Sequence, residues 1–256
     1  SNGYLFSESV VLQAVNDWNL KSIQITLDGT EDVYNRTKNY INKEENAFYR
    51  VIHNISLLLK ENIYVRIRLN MVSGSYEDMK NLIDFLFAQF GNSNYLKIYA
   101  VEVFDANKND LSKKNHMLWK EVSQINRYID EKGFGYSHSL SQKLRVNYCM
   151  ADSDNAITIL PNGNLGKCEY YSDSDIWGNI YCDTYNEKVI EAWKESYADM
   201  DSCKECFFFP ECLHLKKCPE AFYCNGNVEY KKRQIQKQIE KIYYEMCLET
   251  QDMGFC

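Results

Sequence analysis

Ten cysteines stand in a chain of 256 residues, and all of them lie after residue 148. Cys203-Lys-Glu-Cys206 is a turn that converges two thiolates on one ion, because the two intervening residues reverse the chain. Cys212 and Cys218 follow at intervals of five intervening residues, then Pro219 and finally Cys224. Upstream, Cys149 and Cys168 bracket the stretch ITILPNGNLGKC, in which Asn162-Gly163 suits a tight hairpin reversal. The hairpin brings Cys168 back toward Cys149. Thiolates gathered in this way bind zinc or iron–sulfur groups, and spacing alone does not separate the two. Seven positioned cysteines exceed what one zinc ion takes, so two sites are implied; two zinc ions stapling a small domain with little core remain an alternative. The histidines at 53, 116, 138 and 214 show no metal-ligand spacing.

The elements that must position these thiolates divide at the cysteine boundary. The stretch EKGFGYSHSLSQ has the glycine and serine composition of a linker, and the expected domains are residues 1–138 and 139–256. In the first, SIQITLD (22–28), IYVRIRLN (63–70) and LKIYAVEVF (96–104) read as short buried strands. They alternate with segments of helical apolar spacing at 46–62, 75–90 and 111–133. Strand, helix, strand, helix predicts an α/β fold with a parallel sheet and right-handed crossovers. Three parallel strands make a poor independent domain, since such a sheet is covered on both faces. The chain also opens at SNGYLF without methionine. The expectation is that further strands precede residue 1. After the cysteines, KKRQIQKQIEKIYYEMC reads as a helix, with Cys247 and Cys256 as bystanders.

Composition sets limits on partners. The chain is 45% hydrophobic and 14% aromatic, enough for a sizeable core. Its 29 basic and 36 acidic residues give a net charge of -7 with no basic stripe, so nucleic acid is not an expected partner. No apolar run reaches the roughly 20 residues that span a bilayer, and no signal-peptide pattern opens the chain. A cytoplasmic location without membrane contact is expected, and there closely spaced cysteines serve metals rather than disulfides.

The ordered set Cys149, Gly163, Cys168, then Cys203, Cys206, Cys212, then Cys218-Pro219 and Cys224, with GNI at 178–180, resembles the SPASM domain. That domain extends radical S-adenosylmethionine enzymes and carries auxiliary 4Fe-4S clusters. The interval from Cys212 to Cys218 is longer than the family pattern. The first half resembles the same enzymes' (β/α) barrel: SNGYLF is similar to the turn after the third strand, QITLDGT (24–30) to the fourth strand, and IRLN (67–70) to the fifth. Where the family continues with a His and an Arg, this chain has Tyr34 and Lys38.

The resemblance implies a partial radical S-adenosylmethionine barrel followed by a small SPASM domain with a β-hairpin and a C-terminal helix. It implies that Thr26 approaches the cofactor's ribose, against a plain β-branched strand residue, and that Arg68 binds its carboxylate, against a strand-end ion pair. Cys149, Cys168 and Cys218 would ligate one auxiliary cluster, and Cys203, Cys206, Cys212 and Cys224 a second. Cys182 is either a fourth ligand to the first cluster or a small buried hydrophobe. Glu169 stands where sulfatase-maturing relatives place a catalytic carboxylate, with a solvated glutamate as the bland alternative. The implied activity is oxidative modification of a peptide or protein, as in thioether or related crosslinking of ribosomally made precursors. The CxxxCxxC of the catalytic cluster occurs nowhere in the sequence, so the chain by itself is expected to be inactive, with the missing N-terminal part of the barrel as its partner. The competing class is a noncatalytic zinc- or cluster-binding interaction module.

Overall fold

Alternation of apolar and polar residues along three strands builds the larger part of the protein. The computed structural model describes residues 1–42, 45–103, 118–135, 150–168, 173–183, 185–195, 201–205, 216–217, 236, 239–240, 242–244 and 246–247. The chain divides into one unit of Ser1–Ser139 with Tyr244–Cys256, and a second of Leu140–Tyr243.

In the first unit the order is α1 (Glu8–Asn16), β1 (Ser22–Leu27), α2 (Glu31–Lys38), α3 (Ala47–Lys60), β2 (Tyr64–Met71), α4 (Tyr76–Phe90), β3 (Leu96–Glu102) and α5 (Leu118–Glu131). The strands lie in the order β1-β2-β3 and pair in parallel, as their alternation with helices predicts. Thr26 stands beside Arg68 and Arg68 beside Tyr99; Gln24, Arg66 and Lys97 form the next row. The backbone of Ser1 continues the ladder on the other edge of β1: its nitrogen donates to Gln24 O (2.9 Å) and its carbonyl accepts from Thr26 N (3.3 Å).

One face of the sheet is wholly apolar. Ile25, Leu27, Val65, Ile67, Leu69, Met71, Leu96 and Ile98 bury there in a single cluster with Val51, Ile55 and Leu58 of α3, Met79, Leu82 and Leu86 of α4, and Ile125 and Ile129 of α5. Removing this much apolar surface from water is the principal source of the unit's stability. The other face carries the alternate residues Gln24, Thr26, Arg66, Arg68, Asn70, Lys97 and Tyr99, all partly or fully accessible. A parallel sheet ordinarily buries both faces. A polar second face is a departure from the continuous burial expected of these strands.

Helix α2 lies where no helix was expected, because only Tyr34 of its eight residues is buried and apolar periodicity is therefore absent. Its ends are nonetheless written in the sequence: Thr30 at the N-cap, acidic Glu31 and Asp32 in the first turn, and Asn39 in the left-handed conformation at the C-cap.

In the second unit β4 (Thr158–Ile159) and β5 (Asn164–Gly166) form the antiparallel hairpin read from the sequence. Its turn closes through Gly163 N–H to Leu160 O (2.8 Å), with Gly163 at φ 82°. A third strand, β6 (Gly178–Asn179), pairs on the far side of β5, so the element is a three-stranded meander. Lys167 is 3% exposed, and its ammonium donates to Ser153 O (2.8 Å) and Ala156 O (3.1 Å), tying β5 to the segment entering β4. Two short helices follow, α6 (Glu187–Ala192) and α7 (Asp201–Lys204). The described residues from 236 to 243 in this unit are helical, as are the described residues 244, 246 and 247 of the first unit, in line with the helix expected there.

Candidate functional site

Thr26 and Arg68 share one row of the sheet and therefore one face, with adjacent strands about 4.8 Å apart. The Thr26 hydroxyl accepts from Lys38 Nζ at 3.4 Å. Lys38 also lies 2.7 Å from Asp28 Oδ2, an ion pair whose side chains are only 23% and 10% exposed. Asn70 Nδ2 donates to Asp28 Oδ1 at 2.7 Å, so β2 fixes the carboxylate that holds Lys38. In the same row as Thr26, Tyr99 donates to Gln24 Oε1 at 2.6 Å.

Arg68 differs from its neighbours. Its Nε is buried and has no hydrogen-bond partner among the described residues, and the strand-end ion pair considered for it is not formed among them. A buried donor without an acceptor costs about 1–3 kcal/mol, more when charged, and native proteins rarely leave one. A carboxylate from a ligand would satisfy the guanidinium in the two-point manner that its planar fork favours. The chemistry on offer is thus a cation ready for an anion, a hydroxyl beside it, and an anchored ammonium–carboxylate pair.

The turn after β1 is built to keep this arrangement in place. Gly29 adopts φ 152°, and a Cβ there would fall 2.5 Å from Val33 Cγ1 and also against the Asp78 carboxylate. Asp78 of α4 accepts from the Thr30 backbone N–H (3.1 Å) and from the Thr30 hydroxyl, clamping the start of α2 and hence Lys38. The Gly29→Ala protein should lose about 1–3 kcal/mol of stability through this overpacking, read from the midpoint of urea unfolding. Tyr34, at the position where a His was expected from the resemblance, faces inward: burial first, and then its hydrogen bond with Tyr40 at 3.2 Å, raise its pKa well beyond the ordinary phenol range. It stays neutral and is core, whereas Lys38 reaches the site.

Of the sulfur ligands read from the sequence, Cys168 and Cys203 lie among the described residues and are half-buried. Cys149, Cys206, Cys212, Cys218 and Cys224 lie outside them, as does Glu169. Among the described residues no group of three or more His, Cys, Asp or Glu is placed to hold a metal. Cys182 is exposed, in a bridge with Asn179 just past β6, so the reading of it as a small buried hydrophobe does not hold. Cys168 packs with Ala151, Val189 and Trp193 at the base of the meander.

Thr26 and Arg68 are named by the family resemblance alone; alternation along the strands places Gln24, Asn70 and Tyr99 on the same face, and sequence reasoning passed over these three. Lys38 carried a weaker signal, as the basic residue closing a capped helix.

No family model matches the chain, and no curated protein matches it. Solved structures do. Native anSMEcpe with bound AdoMet and Cp18Cys peptide is 14% identical over 97% of this chain and 75% of that one, with a TM-score of 0.50. Native anSMEcpe with bound AdoMet is 15% identical over 97% of this chain and 74% of that one, also at 0.50. At such identities the likeness is one of fold. Among the described residues no helix is long and apolar enough to cross a membrane. The chain has an α/β structure on a parallel sheet that resembles the structure of a radical S-adenosylmethionine enzyme, the anaerobic sulfatase-maturating enzyme anSMEcpe.

Proposed function

We propose that this chain is the C-terminal part of a radical S-adenosylmethionine enzyme that modifies a peptide, with auxiliary iron–sulfur clusters in its second unit. The observation that carries the reading is the buried Arg68 Nε, without a hydrogen-bond partner among the described residues, beside Thr26 on the polar face of a parallel sheet. These residues fit the cofactor. Arg68 would take the carboxylate of its methionine part and Thr26 a ribose hydroxyl, while Asp28, Asn70 and Lys38 hold the Thr26 oxygen in position. When bound together with a reduced cluster, S-adenosylmethionine supplies hydrogen-atom abstraction from the substrate. This chain's own share is to bind and orient, and its apolar opposite face keeps the sheet rigid beneath the site. The hydrogen bonds that Ser1 makes along β1 are those that a preceding parallel strand would continue.

In the second unit, Cys149, Cys168 and Cys218 would hold one cluster, and Cys203, Cys206, Cys212 and Cys224 the other. Glu169, next to Cys168, would act as the carboxylate that accepts a proton from the peptide. The solved structure with bound Cp18Cys peptide supports a peptide substrate, and thioether or related crosslinking is the proposed outcome. AdoMet affinity tests the site in the protein extended through its upstream coding sequence. Arg68→Ala should weaken binding about 10- to 100-fold, the worth of a charge-assisted hydrogen bond in a sheltered place, and Thr26→Ala less. Equal affinity in wild type and Arg68→Ala would place the cofactor elsewhere.

A further inference from the structure

Gln24 of β1, Arg66 of β2 and Lys97 of β3 stand side by side in one row of the polar sheet face, the row before Thr26, Arg68 and Tyr99. Arg66 is exposed, and Gln24 and Lys97 are half-buried. Among the described residues neither Arg66 nor Lys97 has a hydrogen-bond or ion-pair partner. Neighbouring strands lie about 4.8 Å apart, so the two cations rise from adjacent backbone positions, an arrangement that destabilises a sheet unless something neutralises it. The Tyr99 hydroxyl donates to Gln24 Oε1 at 2.6 Å. That bond commits the amide oxygen and leaves Nε2, a donor, as the unused end of the side chain. The chain does not lack carboxylates, with 36 acidic residues against 29 basic. Yet the carboxylate of this face, Asp28, is four residues beyond Gln24, about 13 Å along an extended chain, and is committed to Lys38 and Asn70. The row therefore offers a guanidinium, an ammonium and an amide N–H, with no acceptor among them.

We propose that the row of Gln24, Arg66 and Lys97 is a binding site for a doubly charged oxyanion of the phosphate class. Two adjacent positive charges match a dianion. The planar fork of Arg66 would take two oxygens, Lys97 would act as a point charge, and the Gln24 amide, oriented by Tyr99, would donate to a further oxygen. The row is separate from that of Thr26 and Arg68, and the inference rests on no part of the cofactor reading.

Calorimetric titration of the chain with inorganic phosphate, in a buffer free of other multivalent anions, should show saturable one-to-one binding. Arg66→Gln and Lys97→Gln should each weaken it at least about 10-fold, the worth of a charge-assisted hydrogen bond. Gln24→Glu, which adds a carboxylate to the row, should abolish it. Lys60→Gln, which removes the same charge at the exposed end of α3, should leave it unchanged. Acetate, with one charge, should bind more weakly than phosphate. Phenyl phosphate separates the sources: tighter binding than phosphate would assign the site to a phosphate ester, and weaker binding to the free ion, and either supports it. In wild type the Gln24 side-chain amide resonances should move during the phosphate titration, a reading independent of whether any variant folds. Absence of saturable binding would overturn the proposal. So would unmoved Gln24 resonances, an equal loss in Lys60→Gln, or acetate binding as tightly as phosphate.

Discussion

Cys168→Ala, reconstituted anaerobically with iron and sulfide, should hold about half the iron of the wild type and a loosened meander. β4 has two residues, β5 three and β6 two, and strands so short are marginal without outside support. What the described residues supply is small: Trp193 and Ala151 buried at the base with Cys168 beside them, and the Lys167 ammonium holding two carbonyls. A metal group at Cys168 would add the remainder, because ligand binding that requires the folded form is itself folding free energy. Loss of one ligand acts locally when two sites share no thiolate, so the group assigned to Cys203, Cys206, Cys212 and Cys224 should persist. Iron and sulfide quantification reads the first effect, and the rate of proteolysis at the 160–163 turn reads the second. Unchanged iron in Cys168→Ala would reduce the hairpin to a hairpin.

The isolated chain, reconstituted and reduced with dithionite in the presence of S-adenosylmethionine, should release no 5′-deoxyadenosine. Reductive cleavage needs a cluster with one iron open to the cofactor, held by the CxxxCxxC spacing. None of the ten cysteines stands in that spacing, and the pair Cys203 and Cys206 has no cysteine four positions before it. The proposed cofactor residues Thr26 and Arg68 lie in this chain, but the CxxxCxxC spacing occurs nowhere in this sequence. Extension through the upstream coding sequence should restore turnover. Product from the isolated chain would show that one of the clusters assigned as auxiliary performs the cleavage, and the functional division of the two units would have to be redrawn.

The three strands and the helices α3, α4 and α5 were legible because burial imposes its period on the residues: Ile23, Ile25 and Leu27 alternate, and Val51, Ile55 and Leu58 recur at helical spacing. Helix α2 was not legible by that route, since it buries only Tyr34, and its capping residues were the surviving signal. The third strand of the meander escaped for a related reason: Gly178 and Asn179 carry no strand propensity, and pairing to β5 decides their conformation. In the site, Thr26 and Arg68 came from a motif, whereas the anchoring of Lys38 by Asp28 and Asn70 depends on the parallel register of β1 and β2, which no local pattern announces. Tyr34, where the sequence departs from the family's His, is taken by the core, as its large aromatic ring suits.

What the cysteines hold decides between a radical enzyme's auxiliary-cluster unit and a zinc-stapled module. Anaerobic reconstitution of the wild-type chain with iron and sulfide, followed by metal and sulfide quantification and an optical spectrum, should yield bound iron with matching labile sulfide. It should also show the broad visible absorption of thiolate-ligated iron, bleached on reduction. A colourless protein that binds zinc tightly and excludes iron and sulfide would contradict the account and leave the chain a zinc-stapled interaction module.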